Sequence, residues 1–167
     1  MTNKYWGYHL TLDAPGADLN YIGNAGRIEA FAKDLVKRID MVAYGAPVVV
    51  HFGSGNKAGY TLYQLIETSN ISAHFVEDDG HGTGKGSYYL DVFSCKPFDP
   101  QTVVACAREY FGNTTETINF IERDAYANQP PSIDAPKKED KSSVLTKDTG
   151  KDYKGNLASV INKAMLD

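Results

Sequence analysis

Cysteine, tryptophan and excess positive charge are all scarce in this chain. Only two cysteines, Cys95 and Cys106, stand among 167 residues, too few for a disulfide framework or a cysteine-based zinc site. Lys and Arg number 17 against 21 Asp and Glu, a formal charge of −4. That balance lacks the basic face on which nucleic-acid binding usually depends. No apolar run approaches the roughly 20 residues of a membrane span. The opening Met-Thr-Asn-Lys-Tyr-Trp-Gly holds no signal-like apolar stretch. The expectation is a cytoplasmic protein that partners neither nucleic acid nor membrane.

What is present reads as one globular domain with a tail. Hydrophobic segments alternate with turns up to about residue 124, long enough to bury a core. Residues 125–155, which include Asn128-Gln-Pro-Pro-Ser-Ile-Asp, are polar and charged and predict a disordered linker. Residues 156–167 place Leu157, Val160, Ile161 and Met165 on one face of a short helix.

Within the domain, a first strand is expected over Tyr5–Leu12, broken by Asp13-Ala-Pro-Gly. A helix comes next, from about Gly26 to Asp40, with Ile28, Phe31, Leu35 and Ile39 as its apolar stripe. Strands are predicted near Pro47–Phe52, Tyr60–Ile66, Ser72–Glu77 and Tyr88–Cys95. A second helix opens with Asp99 as N-cap and Pro100 in its first turn, points Val103, Val104, Ala107 and Phe111 inward, and stops at Gly112-Asn113. A last strand over Thr117–Glu122 is expected to close the core. Two main helices against a mostly antiparallel sheet make an α+β two-layer sandwich.

Two glycine-rich stretches resemble nucleotide loops and fail on inspection. Gly53-Ser-Gly-Asn-Lys-Ala58 fits G-x-G-x-x-A, but the segment that would have to be helical, Gly59-Tyr-Thr-Leu-Tyr, is β-prone. In Asp78–Ser87 the phosphate-loop register puts Asp79 where glycine is required and Gly86 after Lys85. A hairpin or lid is the better reading. His74, Asp78, Asp79 and His81 have no fixed metal-ligand spacing, so no metal is expected.

The chemistry-bearing residues are Ser69, His74 five positions later, and Cys95. Singly, each has a plain explanation: a turn serine, a core histidine, a small buried hydrophobe. Their joint spacing says more. Gly7-Tyr-His-Leu-Thr-Leu-Asp13, Gly59-Tyr-Thr61, Glu67-Thr-Ser-Asn-Ile-Ser-Ala-His74, Asp91-Val-Phe-Ser-Cys95 and Phe98-Asp-Pro100 occur in an order that resembles the small bacterial S-adenosylmethionine decarboxylases, phage-encoded members above all.

That resemblance implies a proenzyme that cuts itself between Thr68 and Ser69, Ser69 becoming a covalent pyruvoyl cofactor. His74 then matches the processing histidine, Thr61 a processing hydroxyl, and Cys95 the catalytic proton donor. His9 matches a first-strand histidine near the active site. The ribose-binding glutamate corresponds to Glu77 or Asp78, with Glu77 keeping the side-chain length. The substrate would be S-adenosylmethionine and the assembly a homodimer. Such chemistry is self-consistent. Ser69 Oγ attacks the Thr68 carbonyl, the resulting ester eliminates, and dehydroalanine hydrolyses to pyruvoyl and ammonia.

Departures from the family pattern leave alternatives open. The residue before the cleaved serine is commonly glutamate there and is Thr68 here. The segment His74-Phe-Val-Glu-Asp78 and the glycine-rich loop after it differ as well. A pyruvoyl-dependent ornithine or arginine decarboxylase is one alternative, and an uncut regulatory or binding homologue is another. Tyr8, Phe52 and Tyr60 can serve an adenine or simply pack the core.

Overall fold

The computed structural model describes residues 5–112 and 115–125. The expected linker beyond residue 125 and the helix at 156–167 lie outside them. Among the described residues six strands form one antiparallel sheet in the order β2-β3-β4-β5-β1-β6. They are β1 (Gly7–Ala17), β2 (Val48–Phe52), β3 (Gly59–Ile66), β4 (Ser69–Val76), β5 (Gly86–Ser94) and β6 (Thr117–Arg123). In the same residues three α-helices accompany them: α1 (Leu19–Ile22), α2 (Ala25–Arg38) and α3 (Pro100–Phe111). This is the expected α+β two-layer sandwich.

Alternation along each strand decides which side chains meet the helices. Leu10, Leu12, Leu62, Ile71, Ala73, Phe75, Tyr88, Leu90 and Val92 point to the helix side and are buried. They meet Ile28, Phe31 and Leu35 of α2 and Val103, Ala107 and Phe111 of α3. Phe111 is the hub of this layer, with ring centroids 4.9 Å from Phe31 and 5.0 Å from both Phe75 and Tyr88. It can stand at the very end of α3 because Gly112 turns the chain away in a left-handed C-cap. The opposite face of the sheet is covered by no helix among the described residues. It shows Val50, Tyr63, Leu65, Tyr89 and Ile121, each more than a third exposed.

Two expectations need correction. The chain does not break at Asp13-Ala-Pro-Gly: β1 continues through it to Ala17, with a bulge between Pro15 and Ala17. Pairing with β6 stops at Asp13, so Pro15 lies where the strand has a neighbour on one side only, the setting in which a strand tolerates proline. Nor does the last strand close the core. β6 is an edge strand and all seven of its residues are exposed. The short α1, capped by the Asp18 side chain, is an addition that periodicity in four residues cannot reveal. Gly53–Ala58 contains a 3-10 turn and leads straight into β3, not into a helix.

Candidate functional site

The β3–β4 hairpin turns in two residues, Glu67 and Thr68, with Ile66 opposite Ser69. Three tethers hold the turn. Glu67 N–H donates to the Val42 carbonyl at 3.0 Å, Ala43 bridges to Ile66, and Cys95 N–H donates to the Thr68 carbonyl at 3.0 Å. Ser69 carries a conformational cost here, since its φ of 150° is one that side-chain-bearing residues seldom adopt. Asn70 Nδ2 donates to Ser69 Oγ at 3.1 Å. Thr68, Ser69 and Cys95 are thus brought together at one end of the sheet. Cys95 lies just past the end of β5 and is half-buried.

A second group sits farther along the helix-free face. Thr61 is opposite His74 in register, and Thr61 Oγ1 lies 3.1 Å from His74 Nδ1. Phe52 stacks on the imidazole, with centroids 4.4 Å apart and planes at 15°. Past the end of β4 and toward the other face, where His51 pairs with Tyr60, Glu77 Oε1 is 3.7 Å from His51 Nε2; Asp78 Oδ1 accepts from Gly80 N–H in the β4–β5 connection. Asp79 is held below the usual carboxylate range by Thr83 and by the His81 N–H. Both aspartates therefore turn inward on their own loop. Among the described residues no three His, Cys, Asp or Glu side chains converge on a metal position.

Within one chain these two groups do not meet. Five steps along the strand at about 3.3 Å each separate His74 from Ser69 by roughly 16 Å. Ser69 and Cys95 share one end of the sheet, and His74 of the same chain stands apart from them.

His9 occupies a third position. Its Nε2 is 2.9 Å from Asp91 Oδ1, and its ring meets Phe93 edge-on at 5.7 Å. Register aligns His9, Phe93 and Asn70 across β1, β5 and β4, so this pair belongs to the Ser69 end of the sheet.

Asp91, Ser94, Asn70 and the stacking of Phe52 on His74 were not singled out from sequence. Alternation in Asp91-Val-Phe-Ser-Cys95 offered a signal, because it separates Asp91 and Phe93 from Ser94 by face. Tyr60 meets His51 edge-on, and Tyr8 stacks near Phe120. Like Phe52, each of these rings already has an aromatic neighbour within the chain.

The two thiols differ physically. Cys106 is fully buried on α3, and burial pushes its thiol up to about 12. Iodoacetamide near pH ~8 should therefore label Cys95 in the folded protein and reach Cys106 only in denaturant. Equal labelling of both in the native state would contradict this packing.

The S-adenosylmethionine decarboxylase family model matches residues 8–124. An S-adenosylmethionine decarboxylase proenzyme of Clostridium botulinum (strain Hall) is 29% identical over 107 residues, covering 64% of this chain and 84% of the relative. One from Pyrococcus horikoshii is 26% identical over 118 residues, covering 70% and 78%. The crystal structure of the adenosylmethionine decarboxylase from Aquifex aeolicus superposes with a TM-score of 0.58 at 20% identity, over 77% of this chain and 98% of that one; it shows the shared fold. With the family model spanning well over half of its length, this chain belongs to the S-adenosylmethionine decarboxylase family.

Proposed function

We propose that the chain cuts itself between Thr68 and Ser69 and then decarboxylates S-adenosylmethionine in the cytoplasm, supplying aminopropyl groups for polyamine (spermidine) synthesis. The observation that carries this reading is the hairpin turn. The Thr68–Ser69 peptide lies where backbone strain is concentrated, and the Thr68 carbonyl rests on the Cys95 N–H. A strained peptide loses less on becoming an ester. A fixed N–H donor steadies the oxyanion that forms as Ser69 Oγ attacks. Breaking the Thr68–Ser69 C–N bond frees the serine nitrogen; elimination of the ester then leaves dehydroalanine at position 69, and water replaces nitrogen to leave a keto group and ammonia.

The residues fit the cofactor that results. Ser69 is the only part of the chain the pyruvoyl group consumes, and Cys95 is a half-buried thiol hydrogen-bonded through its backbone to the same turn. When formed, the group supplies an electron sink for loss of carbon dioxide. Cys95 is the proton donor beside it. His9, oriented by Asp91, lines the same end of the sheet.

Removal of the serine α-proton needs a base, and His74 cannot reach Ser69 of its own chain. We therefore read the enzyme as a homodimer in which Thr61 and His74 of one protomer serve Ser69 of the other. Glu77 and Asp78 directly follow β4 past His74, and we assign the ribose contact to them. The exposed apolar residues of the helix-free face support such an association.

The deciding experiment is the mass of the purified chain under denaturing conditions, followed by carbon dioxide release from S-adenosylmethionine, ornithine and arginine. Fragments of about 7 and 11 kDa are expected, from roughly 110 Da per residue, with activity on S-adenosylmethionine. An intact 18.3 kDa chain would leave an uncut homologue as the answer, and release only from ornithine or arginine would reassign the substrate.

A further inference from the structure

We propose that Ser94 is a positioning residue for cleavage: its buried hydroxyl locks the Thr68 side chain and so holds the Thr68–Ser69 peptide ready for attack. This rests on the proposed cut at that bond and names a residue on which its rate depends.

Ser94 is completely buried at the end of β5, on the helix side of the sheet. A buried hydroxyl is stable only if its hydrogen-bonding capacity is used. It accepts from Lys96 N–H at 3.0 Å and donates to Thr68 Oγ1 at 2.9 Å. Thr68 Oγ1 in turn donates to Met41 Sδ at 3.1 Å. Ser94 Oγ also lies 3.7 Å from Met41 Sδ, so the two hydroxyls share the thioether as acceptor while the Lys96 amide donates to Ser94.

This line is closed into a ring. Lys96 Nζ grips the Asp40 carboxylate at 2.6 Å and also the Asp40 carbonyl. Asp40 adjoins Met41, so both ends of the line are tied to the α2–β2 connection. Asp40 holds a left-handed φ of 55°, and its carboxyl is kept below the ordinary range by Lys96. The Thr68 side chain is one link of this ring and is held by it.

The chemistry gives the ring its purpose. Threonine is β-branched and has few side-chain rotamers, so the wrong one would crowd the carbonyl carbon next to it. A hydrogen bond from Ser94 selects one rotamer. The neighbouring amide of Cys95 then meets the Thr68 carbonyl while Ser69 Oγ stays engaged with Asn70. Ser94 and Cys95 thus act on the same residue from two sides, one through its side chain and one through its backbone. Neither contact needs the substrate, which separates this role from decarboxylation.

The test compares wild type, Ser94→Ala and Ser94→Thr by the half-time of cleavage in freshly synthesised full-length chain, by carbon dioxide release per cut chain, and by thermal unfolding. Ser94→Ala should slow cleavage about tenfold, the value of one oriented hydrogen bond at a reacting centre. Ser94→Thr, which keeps the hydroxyl, should restore most of the rate. Release per cut chain should match wild type in both. If Ser94→Ala does not fold, Ser94→Cys, close in shape but a poor donor, takes its place with the same expectation. Wild-type cleavage in the alanine or cysteine variant overturns the proposal, as does an equal loss of cleavage and of turnover per cut chain. A wild-type chain that stays whole defeats the cleavage reading itself, and this proposal with it.

Discussion

A chain carrying Ser69→Ala stays whole, a chain carrying His74→Ala stays whole or nearly so, and co-expression of the two yields cut His74→Ala chain. The first result is expected because alanine has no Oγ to attack the Thr68 carbonyl. The second comes from removing a base, a change usually worth about 10²–10⁴ in rate. Rescue is a matter of geometry. His74 of one chain lies roughly 16 Å from its own Ser69 along β4, so an intact His74 on the uncut Ser69→Ala chain can serve only a neighbour. Differently tagged chains and denaturing mass spectrometry give the readout directly. Rescue that fails while mixed dimers are demonstrably present would place the base in the same chain, and the helix-free face would lose its assigned role.

Gly59→Ala should be severely destabilising. A Cβ at Gly59 would stand 1.9 Å from the Phe75 carbonyl oxygen and 3.0 Å from Phe52 Cζ. The first obstacle is backbone and cannot swing aside, so β3 would have to separate from β4 at its first pair. A loss of about 3 kcal/mol or more is expected, a fall in Tm on the order of 10 °C for a chain of this size. Cleavage should slow as well, because Phe52 crosses Gly59 to stack on His74. Gly84→Ala is the matched control. Its φ is +70° but nothing lies within 4 Å, so only backbone strain of about 1 kcal/mol applies. Equal Tm values for the two variants would contradict the close approach of the strands.

How far the sequence reached depends on whether a contact is local. Asp99 before Pro100 and Gly112 after Phe111 bounded α3 because caps act over three or four residues. Alternation at Leu10 and Leu12 and again at Leu90 and Val92 exposed the strands and their buried face. Failures came where neighbours decide. Pro15 looked like a break because the sequence does not say that β1 has lost one partner by that point. β6 looked buried because Ile118, Phe120 and Ile121 are apolar, yet it pairs with β1 alone at the edge of the sheet. The five-position step from Ser69 to His74 is short in sequence, whereas an extended strand turns it into distance. Ser94 was silent because its partner, Thr68, is 26 positions away.

The strand order governs how the molecule would respond to a break at residue 68. The earlier piece would own β1, β2 and β3, and the later piece β4, β5 and β6, so the sheet reads early, early, late, late, early, late. Each piece threads through the other, with two full-length seams and one edge seam of backbone hydrogen bonds between them. Neither fragment could leave without dismantling the layer that both share. Severing one bond would therefore give the molecule a new terminus without giving it two independent halves.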